Sequence, residues 1–79
     1  MKILVFGAAR EVIGKGEFEW IPIGNELTVG ELKHALSLEY PGLKKLKSLS
    51  IAVNEEYASE ERRLDRDDVI ALIPPVSGG

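Results

Sequence analysis

Hydrophobic and polar positions divide this chain into segments of two different periods. Ile3 to Phe6 is an unbroken apolar run, and Val69 to Ile73 is a second one. Runs of this length without alternation suit central strands covered on both faces. Glu17-Phe18-Glu19-Trp20 alternates instead, as a half-buried strand does, and follows the turn signal Gly14-Lys15-Gly16. Pro22 removes a ladder donor, so that strand lies at a sheet edge or ends there. After the break at Gly24-Asn25 the period changes. Thr28-Val29-Gly30-Glu31 fits a capping box, and Val29, Leu32, Ala35 and Leu36 form one stripe at helical spacing. Pro41-Gly42 stops this helix, leaving Leu43 to Lys47 as a loop or short helical turn.

Leu49 to Val53 predicts another strand, with a turn at Asn54-Glu55-Glu56 and a short return strand from Tyr57. Arg62 to Asp68 is charged and turn-like. The order is two strands, one helix, then two or three strands. One helix across one face of a mixed sheet is the economical two-layer solution. A helical crossover that sets the late strands beside the first predicts an α+β, β-grasp (ubiquitin-like) fold with a mixed sheet of four to five strands. Residues 1–73 would form that domain and residues 74–79 an extended C-terminal tail.

Composition narrows the chemistry. The chain has 79 residues, 44% of them hydrophobic, a formal charge of −3 and no cysteine. Its size fits one domain. Without cysteine there is no disulfide, no thiolate metal site and no cysteine nucleophile, which is compatible with the cytosol. No apolar run approaches the roughly 20 residues of a membrane span, and the negative charge argues against nucleic acid. Gly7 and Gly14 lack phosphate-cradling spacing, and their segment does not lead into a clear helix. His34 is a single histidine on a helix surface with no co-ligands, so no metal is expected. Asp65, Asp67 and Asp68 lack the pattern of a calcium loop and read as turn chemistry. Lys44, Lys45, Lys47, Arg62 and Arg63 are scattered among glutamates as a solvated face would be, and Ser77 has no histidine base near it in sequence.

What remains is the ending, Ile73-Pro74-Pro75-Val76-Ser77-Gly78-Gly79. The two prolines fix φ and favour extended geometry, and Gly78 and Gly79 leave the last peptide unshielded. At about 3.3 Å per residue the six residues from Pro74 reach roughly 20 Å, enough to enter another protein's active site. A main-chain carboxylate is a poor electrophile until activated, for instance as an acyl-adenylate. An amine would then give an isopeptide, and a sulfide or persulfide a thiocarboxylate.

Phe6-Gly7-Ala8-Ala9-Arg10-Glu11 with Gly14, Thr28-Val29 with Leu32, Ala52-Val53-Asn54, Leu64-x-Arg66-x-Asp68-x-Ile70-Ala71 and the terminal Pro-Pro-Val-Ser-Gly-Gly together carry a resemblance. Over essentially its whole length the chain resembles the small, sulfur-carrying subunit of molybdopterin synthase. Asn54-Glu55-Glu56-Tyr57 and Tyr40-Pro41-Gly42-Leu43 also sit at places typical of that family. Gly7 departs from it, alanine being more usual there, without functional consequence expected.

The resemblance implies that Gly79 is adenylated by a ubiquitin-activating-like adenylyltransferase using ATP and magnesium. A cysteine desulfurase or rhodanese-like protein then supplies sulfur, and the thiocarboxylate donates it to cyclic pyranopterin monophosphate to form the dithiolene. Pro75, Val76, Ser77 and Gly78 would lie in the active site of the large synthase subunit, which would hold the catalytic side chains. No cofactor is expected to stay bound to this chain. Phe6, Tyr57, Ile73 and Pro74 would form the partner interface, with Arg10 at its margin. Phe6 and Ile73 fit simple core burial equally well, whereas Tyr57 beside two glutamates in a turn reads as exposed. The resemblance further implies a cytoplasmic heterotetramer. Two alternatives share the Gly-Gly chemistry, a sulfur carrier for thiamine or other thio-compound synthesis and a ubiquitin-like protein modifier. A third is a passive interaction module whose tail is incidental.

Overall fold

The computed structural model describes residues 1–21, 27–46 and 48–74. Pro22, the Gly24-Asn25 break and Pro75 to Gly79 lie outside them. Strands β1 (Lys2–Val5), β2 (Glu17–Glu19), β4 (Ser50–Val53), β5 (Glu56–Tyr57) and β7 (Val69–Ile73) form one mixed sheet in the order β2-β1-β7-β4-β5. β1 and β7 are parallel, with Ile3 opposite Ile70 and Val5 opposite Leu72. The other pairs are antiparallel, including β4 with β7, where Ile51 faces Leu72. The two uninterrupted apolar runs are therefore the inner strands, and alternating β2 takes an edge. This is the ubiquitin-like β-grasp arrangement.

Helix α2 (Val29–Glu39) starts on the capping box that its sequence announces. The Glu31 amide donates to Thr28 Oγ1 at 3.2 Å, and the Thr28 amide donates back to Glu31 Oε1 at 3.1 Å. Val29, Leu32 and Leu36 turn inward onto the sheet. A 3₁₀ turn at Pro41–Lys45 follows, burying Leu43. Ile3, Val5, Ile51, Val53, Ile70 and Leu72 supply the sheet's half of the same core.

Two features are additional to the sequence reading. Gly7–Ile13 is a helix, α1, buried through Ala9 and Ile13 and ended by Gly14 at φ 87°. Its start, at Phe6, has no side-chain cap, so no N-terminal signal marks it. The C-terminal signal is present, a glycine in the left-handed region, but Gly14 also reads as the first residue of a turn. Residues 27–28 (β3) and 63–64 (β6) pair as a separate two-stranded ribbon, Leu27 facing Leu64. Strands of two residues carry no readable alternation.

The turn between β4 and β5 has two residues, Asn54 at φ 50° and Glu55 at φ 72°. Both positive values match the turn whose twist suits a hairpin. Asn54 then ties this hairpin to β7. Its Nδ2 donates to Asp68 Oδ1 at 2.8 Å, and its Oδ1 accepts from the Val69 amide at 2.9 Å. The second Asp68 oxygen accepts the Asp65 amide at 2.8 Å. Asp68 does serve a turn, as its sequence context implies, and from a buried position it also clamps a second element.

Candidate functional site

Side chains alternate across a strand, so register sorts the two faces of the sheet. The helices take one face. The other carries Lys2, Leu4, Ser50, Ala52, Val69, Ala71 and Ile73, and among the described residues no helix lies over it. Leu4, Ala71, Ala52 and Tyr57 fall in one row across β1, β7, β4 and β5. Ala52 is buried in the middle of that row, while Tyr57 at its end is 74% exposed. The continuous apolar character of β1 and β7 thus has a different cause from the two covered faces that the sequence suggests. The second face is apolar and, among the described residues, only partly covered.

Phe6 and Ile73 join this face where β7 ends. Phe6 follows Val5 in extended geometry, φ −124° and ψ 158°, and so keeps the parity of Leu4. Its amide donates to the Leu72 carbonyl at 3.2 Å, which places it beside Ile73. Phe6 is 49% exposed and Ile73 half-buried, so neither is a core residue. Pro74 comes next and packs its ring on Gly7. Phe6 and Ile73 therefore lie side by side at one end of this face, Pro74 turns toward Gly7, and Tyr57 stands apart at the β5 edge in the row of Leu4, Ala71 and Ala52. Arg10 stands one helical turn after Gly7, exposed, with its guanidinium folded toward Gly16. At the other side the face becomes charged, with Lys2 Nζ 3.1 Å from Glu17 Oε2.

The body offers no catalytic constellation among the described residues. No group of three His, Asp or Glu side chains could hold a metal there. His34 is exposed on α2, where its carbonyl accepts the Ser37 hydroxyl at 2.7 Å. A depression of about 360 Å³ beside it, lined by Lys33, His34, Ser37 and Lys44, lies on the helix side of the molecule. No described helix is long and apolar enough to cross a membrane. Pro75, Val76, Ser77, Gly78 and Gly79 lie outside the described residues, so the chemistry expected of them is not located by geometry.

Residues 3–79 match the ThiS family, a match that runs through the terminal Gly-Gly. The chain belongs to the ThiS family. Its relatives within reach of sequence comparison include molybdopterin synthase sulfur carrier subunits. That of Caenorhabditis briggsae is 40% identical over 82 residues, covering 100% of this chain and 96% of the relative. That of Dictyostelium discoideum is 42% identical, covering 99% and 94%.

Solved structures agree on the fold. SAMP1 from Haloferax volcanii superposes with a TM-score of 0.83 at 26% identity, covering 99% of this chain and 97% of that one. The small archaeal modifier protein 1 of Methanosarcina acetivorans gives 0.76 at 28%, covering 99% and 94%. A third, at 0.65 and 31% identity with 99% and 96% covered, belongs to the complex of subunits 1 and 2 of the molybdopterin-converting factor of Helicobacter pylori.

Register shows what residue-by-residue reading omits. Leu4 and Ala71 complete the apolar row, and their signal is the period of two hidden inside uninterrupted apolar runs. Asn54 and Asp68 stand among the positions that carry the family resemblance, yet only the fold reveals that they bond to each other.

Proposed function

We propose that this ThiS-family chain is the sulfur carrier subunit of a molybdopterin synthase, a protein-borne cosubstrate whose reactive group is the Gly79 carboxylate. An adenylyltransferase would join that carboxylate to AMP from ATP, with magnesium and release of pyrophosphate. A persulfide on a sulfur-transfer protein would then displace AMP, and a second thiol attacking the sulfur–sulfur bond would release the thiocarboxylate and end as a disulfide with the transfer protein's sulfur. Docked on the large subunit, the thiocarboxylate sulfur would attack cyclic pyranopterin monophosphate. Hydrolysis of the resulting acyl linkage would return the carboxylate, and a second donation would complete the dithiolene.

The observation that carries this reading is the half-covered apolar face at the end of β7. Phe6 and Ile73, exposed in whole or part, flank the end of β7, and Tyr57 is exposed at the β5 edge of the same face. Such a face suits a partner that must hold the body while receiving the terminus. Exposed aromatics at an interface often dominate its binding energy. The names of the relatives and the two-subunit complex of the H. pylori neighbour supply the partner class.

The test is intact mass of the protein isolated from cells that contain its activating enzyme. A species shifted by one oxygen-to-sulfur exchange at the C-terminus is expected. Mixing it with a large synthase subunit and the pyranopterin precursor should yield a dithiolene. A thiocarboxylated protein that forms none would point to another thio-compound, such as thiamine. One residue appended after Gly79 should abolish transfer and leave thermal stability unchanged.

The likeness to a protein named as an archaeal modifier favours one second reading, conjugation of Gly79 to lysines through the same adenylate. Branched peptides ending in Gly-Gly on other proteins would be its signature.

A further inference from the structure

We propose that the groove between α2 and the open end of β4 is a docking site for an extended acidic peptide segment of a partner protein. This site is separate from the sulfur-carrier chemistry and does not rest on it. Residues of β4 bond alternately to one side and the other. The Asn54 amide donates toward β7, to the Val69 carbonyl at 2.8 Å, and the Ile51 carbonyl accepts the Ala58 amide at 3.0 Å on the opposite side. Leu49 keeps the parity of Ile51 and Val53, all three side chains being buried in the core. Its own N–H and C=O therefore point to the side of β5, and among the described residues neither has a partner.

The segment that could pair there is drawn away. Extending the register of Ala52 with Tyr57 and Val53 with Glu56 sets Glu60 opposite Leu49. The Glu60 carbonyl instead accepts the Gly30 amide at 2.9 Å, and the Arg62 carbonyl accepts the Val29 amide at 2.9 Å. Both amides belong to the first turn of α2 and have no acceptor within the helix. Gly30 lets the segment come this close, since a Cβ there would stand 3.2 Å from Glu60 Oε1 and 3.3 Å from the Glu60 carbonyl oxygen. The chain thus leaves β4 to cap α2, and the pairing opens into a groove. Two depressions of about 360 and 490 Å³ follow it, meeting at Lys33, Leu49 and Glu60.

Charge selects the occupant. Lys33 and His34 on α2 and Lys44 on the 3₁₀ turn line the groove against one carboxylate, Glu60. Neither lysine forms an ion pair among the described residues, in a chain whose formal charge is −3, and Lys33 is half-buried. A strand laid along Leu49 would bond to its free N–H and C=O, as strand addition at a sheet edge does. Its alternate side chains would turn toward α2, and carboxylates at those positions would meet Lys33 and Lys44. A phosphate would satisfy the lysines and leave the Leu49 backbone unpaired.

The experiment titrates the peptide acetyl-Glu-Val-Glu-Val-Glu-amide into the isotope-labelled full chain, followed by amide chemical shifts. Those of Lys33, Lys44 and Leu49 should move, and those of Leu4 and Ala71 on the outer face should not. Lys33→Glu combined with Lys44→Glu should weaken binding by about tenfold or more. The same peptide N-methylated at its central residues keeps every charge but loses backbone donors, and should bind about tenfold more weakly to the wild-type chain. That comparison carries the test alone if the double variant fails to fold.

No shift at about 1 mM peptide, equal binding of the N-methylated peptide, or shifts confined to the outer face would overturn the proposal. Displacement of the peptide by equimolar inorganic pyrophosphate would assign the groove to a small phosphate ligand and overturn it too. The titration needs neither an activating enzyme nor the pyranopterin precursor, so its failure leaves the sulfur-carrier reading standing, and the reverse.

Discussion

Removing the Asp68 carboxylate should loosen the hairpin that carries Tyr57, by an amount the geometry sets. Asp68 is 7% exposed and accepts two hydrogen bonds at 2.8 Å, one from Asn54 Nδ2 and one from the Asp65 amide. Bonds to a charged acceptor are worth about 1.5–3 kcal/mol each. Asn54 is exposed and regains part of that from water, which leaves a net cost of about 2–4 kcal/mol for Asp68→Ala. A domain of this length has about 4–12 kcal/mol in total at 0.05–0.15 kcal/mol per residue, so the variant should lose a large share of its stability. At about 4–8 °C per kcal/mol its Tm should fall by about 8–32 °C.

Asn54→Ala removes the shared bond and the one from the Val69 amide at 2.9 Å. It also places alanine at φ 50°, where asparagine is better tolerated. Urea denaturation followed by far-ultraviolet circular dichroism on both singles and the double variant gives the coupling. Because the two side chains share one bond, the double should cost about 1–2 kcal/mol less than the sum. Strict additivity, or a loss below about 0.5 kcal/mol for Asp68→Ala, would refute the clamp.

Two other outcomes follow from the same coordinates. Tyr57→Ala should keep its Tm, because the ring is 74% exposed, and should weaken binding to the large subunit at least about 30-fold, equivalent to about 2 kcal/mol; calorimetric titration checks this, and an unchanged Kd would remove Tyr57 from the interface. Glu55→Gly should stabilise the protein by about 0.5–1 kcal/mol, because Glu55 sits at φ 72° in a hairpin turn that favours glycine, and equal or lower stability in denaturant would count against strain there.

Much of the fold is legible from period alone. Ile3 to Val5 and Val69 to Ile73 announce inner strands, and Thr28 with Glu31 announces the helix start to the residue. α1 is less legible because it buries only Ala9 and Ile13 and begins without a capping side chain. β3 and β6 exist because Leu27 and Leu64 meet, which is a long-range fact. The candidate face is half legible. Tyr57 reads as exposed from its glutamate neighbours, but Phe6 and Ile73 read equally as core. An apolar run records that a face excludes water without recording whether this chain or another molecule does the covering.

The position of β7 between β1 and β4 also has a mechanical meaning. A partner that grips the outer face and draws on the C-terminal segment pulls along the axis of β7. Its ladders to Lys2–Val5 on one side and Ser50–Val53 on the other would then be loaded in shear, all their bonds sharing the force at once. An edge strand such as β2 or β5, pulled the same way, would be held by one such ladder instead of two. The strand that leads to the C-terminal segment is thus rooted where the sheet resists traction best.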